Sequence, residues 1–207
     1  MIRKAILAAF CAAALFGQAQ AQEAGLSPGA ALIFADRAPW TPPEGGYVWA
    51  TERPRDGVQV DTDIVLTAYT DTDGGAMLLL SERRDGEERA LTRFPVSAGD
   101  PVVVFFLETV ARDMATITGG SPFYIRNRMK EAVAQGGEVT AGDDTVVVLR
   151  PFGADPNDGR MFGFDKLALR FDLGADPAAP IRHLRAEAPA EDGGPGYVFD
   201  MQMEDAP

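Results

Sequence analysis

The sequence predicts a single α+β domain in which a twisted antiparallel β-sheet carries an inserted hairpin of two helices. Most of the chain consists of short alternating apolar segments separated by Asp-, Asn- and Gly-rich turns, which is typical of an antiparallel meander. The exception is the stretch 100–136, where signals for the start and the end of a helix each occur twice. A sheet with one apolar face must be covered, so we expect the hairpin to pack on that face. If the sheet curls into a half-barrel, an apolar cavity can form between sheet and helices.

The two helices are predicted from their ends. Asp100-Pro101 and Ser121-Pro122 each place a capping side chain before a proline, which is well suited to the first helical position. The glycine pairs at 119–120 and 136–137 can adopt the left-handed conformation that ends a helix. We therefore expect helices over 101–118 and 122–135. The apolar run 102–107 is also good strand sequence, so a strand remains the alternative there.

The first 21 residues have the pattern of a secretory signal peptide. Arg3 and Lys4 precede an apolar core over 5–17, and a small-x-small motif ends at Ala21. The apolar core is too short for a stable membrane span. We expect cleavage after Ala21 and a periplasmic or secreted protein. The single cysteine, Cys11, would be lost with the signal, which leaves no disulfide or thiol chemistry in the mature chain.

The mature chain is predicted to begin with an arm over 22–57, followed by the β domain over 58–207. The arm is rich in proline and glycine, and we expect it to dock on the domain through Trp40, Tyr47 and Trp49. The domain is expected to form one sheet of seven to nine strands. The predicted strands are 58–70, 76–82, 88–96, 145–152, 164–173, 181–188 and 197–203.

The charge of the chain limits its partners. The 19 Lys and Arg residues become 17 when Arg3 and Lys4 are removed, against 31 Asp and Glu, so the formal net charge changes from −12 to −14. An acidic chain lacks the basic face that nucleic acids require, and it is not attracted to anionic membrane surfaces in general. We therefore expect neither a nucleic-acid partner nor a membrane span in the mature chain.

The residues that catalysis and metal binding usually require are scarce. The chain has one histidine, His183, no G-x-S-x-G motif, and neither of the glycine-rich nucleotide-binding motifs. A serine hydrolase that uses Ser121 with His183 is a remote alternative, because Ser121 is already explained as a helix cap. Zinc needs several His or Cys ligands, and Asp71-Thr-Asp73-Gly74 fits a calcium loop poorly. No cofactor, metal or catalytic residue is predicted.

The function that remains is non-enzymatic binding. We expect an apolar, lipid-like ligand or a partner segment in a groove between sheet and helical hairpin, with Arg126 and Arg128 at its rim for an anionic headgroup. The alternative is a structural or assembly factor of the cell envelope with no small ligand. The same aromatic side chains could equally be plain core. The residues expected to line the groove are Val102, Phe105, Phe106, Phe123 and Tyr124.

Overall fold

The computed structural model describes residues 26–37, 39–55, 58–97, 99–176, 178–190 and 196–204. The predicted signal peptide, its cleavage site and Cys11 lie outside the described residues. In the part of the chain that is described, no helix combines the length and the apolar character that crossing a membrane demands.

The described strands form one antiparallel sheet of nine strands, which confirms the predicted α+β class. Its order is β4-β3-β2-β1-β9-β8-β7-β6-β5, so two meanders are joined where β1 pairs with β9. The sheet has β4 and β5 at its edges. The strands are β1 Tyr47–Arg55, β2 Val58–Thr70, β3 Ala76–Arg84, β4 Glu87–Pro95, β5 Glu138–Ala141, β6 Thr145–Leu149, β7 Ala168–Asp172, β8 His183–Ala188 and β9 Tyr197–Met203.

Strand β1 lies inside the segment that the sequence predicted as an arm. It pairs with β2 on one side and with β9 on the other, and it joins the two meanders. Trp49 is fully buried in it, and its indole N–H donates a hydrogen bond of 2.9 Å to the carbonyl of Ile181. The boundary predicted at residue 57 therefore falls between two paired strands. The second half of β1, Glu52-Arg53-Pro54-Arg55, has no apolar alternation that would predict a strand.

Three α-helices accompany the sheet in the described residues: α1 Pro28–Ile33, α2 Pro101–Thr118 and α3 Pro122–Gln135. The last two have the predicted bounds, and 102–107 is helical. Asp100 and Ser121 cap them, and Gly119 and Gly136 end them in the left-handed conformation. Helix α1 carries the same Ser-Pro start signal, because Ser27 caps it and Pro28 begins it.

The strands contribute alternate residues to the core. On β9 the buried residues Tyr197, Phe199 and Met201 alternate with less buried ones, as expected for a strand. Helix α2 contributes Phe106, whose ring centroid lies 5.7 Å from that of Phe171 and 5.4 Å from that of Phe199. A cavity of only about 10 Å³ lies beside Phe105, which is space for one water molecule. The Phe106 ring therefore packs directly on β7 and β9.

A polar contact fixes the rotation of α2 over the sheet. Asp113 of α2 accepts hydrogen bonds from Arg53 of β1 and from the hydroxyl of Tyr197 of β9, the latter at 3.0 Å. Burial, together with the neighbouring Asp113 carboxylate, holds the pKa of Tyr197 well above its ordinary value. Tyr197 is therefore a protonated donor, which keeps Asp113 over β1 and β9.

A buried ion pair joins the end of α1 to the start of α2. The Arg37 guanidinium lies 3.4 Å from Asp100, and both side chains are 1% exposed. Arg37 also donates to the carbonyls at the C-terminal end of α1, while Asp100 accepts from the N–H groups of Val102 and Val103. Each charge therefore also caps the end of a helix, which offsets part of its desolvation cost.

Substitution of Asp100 by alanine tests this ion pair. We expect Asp100→Ala to lower the free energy of unfolding by roughly 3–5 kcal/mol, because it leaves Arg37 buried without a counter-charge. The matched control is Ser121→Ala, which removes an exposed N-cap from α3 and should cost about 1 kcal/mol. Urea denaturation of both variants measures the difference. Equal losses would show that Asp100 acts as an ordinary cap and that the ion pair contributes nothing.

Candidate binding groove

An apolar groove of about 330 Å³ opens on the outer surface of the helices. Its walls come from both flanks of α1, from the first half of α2 and from most of α3. Three of its apolar residues are exposed to solvent: Leu26 by 63%, Phe34 by 40% and Val104 by 45%. Large apolar side chains exposed together in a concavity are characteristic of a ligand or partner site.

The α1 wall is held in place by close backbone contact with the end of α3. A Cβ atom built on Gly29 would lie 1.8 Å from the carbonyl oxygen of Gly136, so only glycine permits this approach. One built on Gly136 would lie 2.2 Å from the hydroxyl of Ser27, the N-cap of α1. At its other end, α1 is held by Arg37. Leu26 and Phe34 flank these fixed points and are thereby held above α2 and α3.

The other two walls follow helical periodicity. Helix α3 supplies residues spaced by three, one, three and one, which form a single stripe along the helix. Met129 and Val133 are the buried members of this stripe. On α2 the lining residues are spaced by three and one. The α3 residues are Arg126, Met129, Lys130, Val133 and Ala134, and the α2 residues are Val104, Leu107 and Glu108.

Three charged residues lie at the rim of the groove. The Nε atom of Arg126 donates to both carboxylate oxygens of Glu108, at 3.0 and 2.8 Å, across the gap between α3 and α2. This pair is about 40% exposed on both sides, so it contributes little to stability. Lys130 lies one turn after Arg126 on the same face of α3. Among the described residues, Lys130 has no ion-pair or hydrogen-bond partner.

Most of the residues predicted to line a groove lie elsewhere. Val102 and Phe106 are fully buried in the core between α2 and the sheet. Phe105 is half-buried beside the water-sized cavity. Phe123 is 73% exposed at the start of α3, outside the groove. Of the predicted set, only Arg126 lines the groove.

Tyr124 and Arg128 belong to a cluster around Asp155. The Tyr124 hydroxyl donates to Asp155 at 2.6 Å and Arg128 Nε donates at 2.9 Å, while Asn157 donates through both its backbone and its side chain. Burial opposes ionisation of Asp155, but these donors outweigh it and lower the pKa of the carboxyl. Arg128 also pairs with Glu131. Both predicted ligand residues therefore tie α3 to the segment after β6.

Sequence reasoning missed the α1 wall. Leu26 and Phe34 are separated from α2 and α3 by more than 60 residues, and nothing local to them indicates where α1 docks. The Ser27-Pro28 start signal could have indicated α1 itself. Val104 was included in the apolar start of α2, but its position on the outer side of the helix depends on which face packs on the sheet.

The two residues of the hydrolase alternative are engaged in structural contacts. Ser121 Oγ accepts from the backbone N–H of Tyr124 as the cap of α3. His183 Nε2 contacts both carboxylate oxygens of Asp200, at 2.9 and 3.0 Å, across β8 and β9. Within the described ranges, no three His, Cys, Asp or Glu side chains converge as metal ligands would.

No protein-family model matches the chain, and a comparison with curated proteins finds no match. The geometry of the groove is therefore the basis for inferring a function.

The Asp155 cluster predicts an acid-sensitive stability. Because the folded protein lowers the pKa of Asp155, this carboxylate stabilises the fold above its unfolded pKa of about 4, and the contribution is lost as pH falls through the lower folded pKa. We expect Asp155→Asn to cost about 2 kcal/mol at pH 7 and much less near pH 2, as measured by urea denaturation at each pH.

The control for this measurement is Asp158→Asn in the same loop. Asp158 is exposed and accepts a hydrogen bond from the Gly159 N–H, which an asparagine oxygen can also accept. It should therefore change stability little at any pH. A cost for Asp155→Asn that stays constant down to pH 2 would show that ionisation of Asp155 is not the source of the stabilisation.

Proposed function

We propose that the protein is a non-enzymatic, periplasmic or secreted binding protein that holds an apolar, lipid-like ligand in the groove formed by α1, α2 and α3. The observation that carries the proposal is the groove itself, with Leu26, Phe34 and Val104 exposed on its walls. In this proposal α2 and α3 form the inserted hairpin that covers the apolar face of the sheet. The ligand would therefore occupy the outer side of the hairpin.

The dimensions of the groove support a small ligand. A volume of about 330 Å³ lies at the lower end of the range for small-molecule sites. Covering the exposed apolar surface would gain about 25 cal/mol for each Å² removed from water. The walls need no rearrangement to form, because α1 is fixed at Gly29 and at Arg37. Such preorganisation lowers the entropic cost of binding.

The second candidate function is a structural or assembly factor of the cell envelope. It is favoured by the apolar residues exposed outside the groove, with Ile117 51% exposed at the end of α2 and Phe123 73% exposed at the start of α3. They stand on either side of the short α2–α3 connection. A protein partner could cover this connection without using the groove. The two candidate functions therefore predict that binding is impaired by substitutions at different residues.

Binding of the neutral fluorescent probe N-phenyl-1-naphthylamine to the mature protein tests the proposal. We expect saturable binding, and Val104→Gln should raise the Kd about tenfold or more because it places an amide in the apolar wall. The matched control is Ile117→Gln, an exposed apolar residue of the same helix outside the groove. Absence of binding, or equal losses in the two variants, would contradict the groove as the site.

A further inference from the structure

We propose that the ligand of this groove is a single-chain amphiphile with an anionic head, and that Arg126 and Lys130 bind the head. This inference rests on the proposed function and adds the chemical class of the ligand.

The groove carries charge opposite to that of the chain. Its lining includes two cations, Arg126 and Lys130, and one acid, Glu108, whereas the whole chain has a formal net charge of −12. A locally positive concavity favours an anion at that place, whereas the acidic remainder of the surface favours cations. The charge of the groove is therefore complementary to an anionic head.

Arg126 has donors available for this head. Glu108 contacts only its Nε atom, and no other described residue accepts a hydrogen bond from its terminal nitrogens. A guanidinium binds carboxylate or phosphate through paired N–H groups, so the two terminal nitrogens can receive an anion while Glu108 keeps Nε. Lys130, one helical turn away, adds a second positive charge beside it.

Arg128 lies only two residues from Arg126, but its side chain is engaged in contacts within the protein. Its Nε donates to the buried carboxylate of Asp155 and its Nη1 to Glu131, at 2.9 and 2.7 Å. It does not line the groove. Of the two arginines predicted at the rim, only Arg126 is therefore available to bind the head. Lys130 supplies the second cation.

The stripe on α3 has a polar and an apolar end. Its N-terminal part has Arg126 and Lys130 on either side of the buried Met129, and its C-terminal part has only the apolar Val133 and Ala134. At about 1.5 Å per residue, the stripe from Arg126 to Ala134 is roughly 12 Å long. The apolar end lies near Gly136, where α1 makes its close contact. One alkyl chain suits this length and a volume of about 330 Å³ better than a double-chained lipid does.

The experiment compares ligands that differ only in the head. Dodecanoate, dodecyl phosphate, dodecan-1-ol and dodecylamine, each below its critical micelle concentration, compete with N-phenyl-1-naphthylamine for the mature protein. We expect the two anions to bind roughly fivefold more tightly than the alcohol, and the amine more weakly, which is the effect of partly exposed ion pairs. The ratio of carboxylate to phosphate affinity distinguishes a fatty acid from a phosphorylated lipid.

The double variant Arg126→Gln/Lys130→Gln should remove the preference for anions, so that acid and alcohol bind with equal affinity. Arg112→Gln is the control, because this exposed arginine of α2 lies outside the groove. Equal affinity for acid, alcohol and amine, or a preference that survives the double variant, would overturn the inference while the proposed function stands. Failure of every ligand and of the probe to bind would overturn both.

Discussion

The buried ion pair between Arg37 and Asp100 holds α1 and α2 together. Arg37 donates hydrogen bonds to the C-terminal carbonyls of α1 and to the carbonyl of Ala179 in the loop between β7 and β8. Asp100 accepts hydrogen bonds from the first N–H groups of α2. Three segments distant in sequence therefore meet at two charges. A buried pair is costly unless its hydrogen-bonding groups find partners. The helix ends provide them for Arg37 and for Oδ1 of Asp100, whereas Oδ2 of Asp100 faces Arg37 without a hydrogen bond. Because α1 and α2 are two walls of the groove, the same contact fixes the distance between those walls.

Helix α1 shows how a short element can form a rigid wall. Six residues are too few for a helix that is stable alone, so its position depends on tertiary contacts at both ends. The backbone contact of Gly29 with Gly136 acts at one end and Arg37 acts at the other. Between them, Ala30 and Ile33 are buried while Leu26 and Phe34 remain exposed on the flanks. The exposed apolar wall is therefore a consequence of how α1 is anchored.

Features encoded by local signals could be predicted from the sequence, and features set by distant contacts could not. Helices α2 and α3 have the predicted bounds because capping residues mark both ends of each. Strand β1 was missed because its pairing with β9 joins residues as distant as Trp49 and Met203, and Pro54 obscures its alternation. Distant contacts also decide which apolar residues line the groove and which are buried in the core. Phe106 and Val104 are both apolar residues of one helical turn, and only the packing of α2 on the sheet buries one and exposes the other.

The titratable groups with the clearest structural roles lie away from the groove. Perturbed pKa values often mark active sites, but structural networks also perturb them. Asp155, Asp200 and Tyr197 have shifted pKa values, and each makes hydrogen bonds that join one element to another. None of the three lines the groove. The ionisable groups that do line it lie at its solvent-exposed rim, where they can select the charge of a ligand without entering a dry reaction site. In the proposed complex, the apolar part of the groove would match the shape of the ligand, and its charged end would match the head.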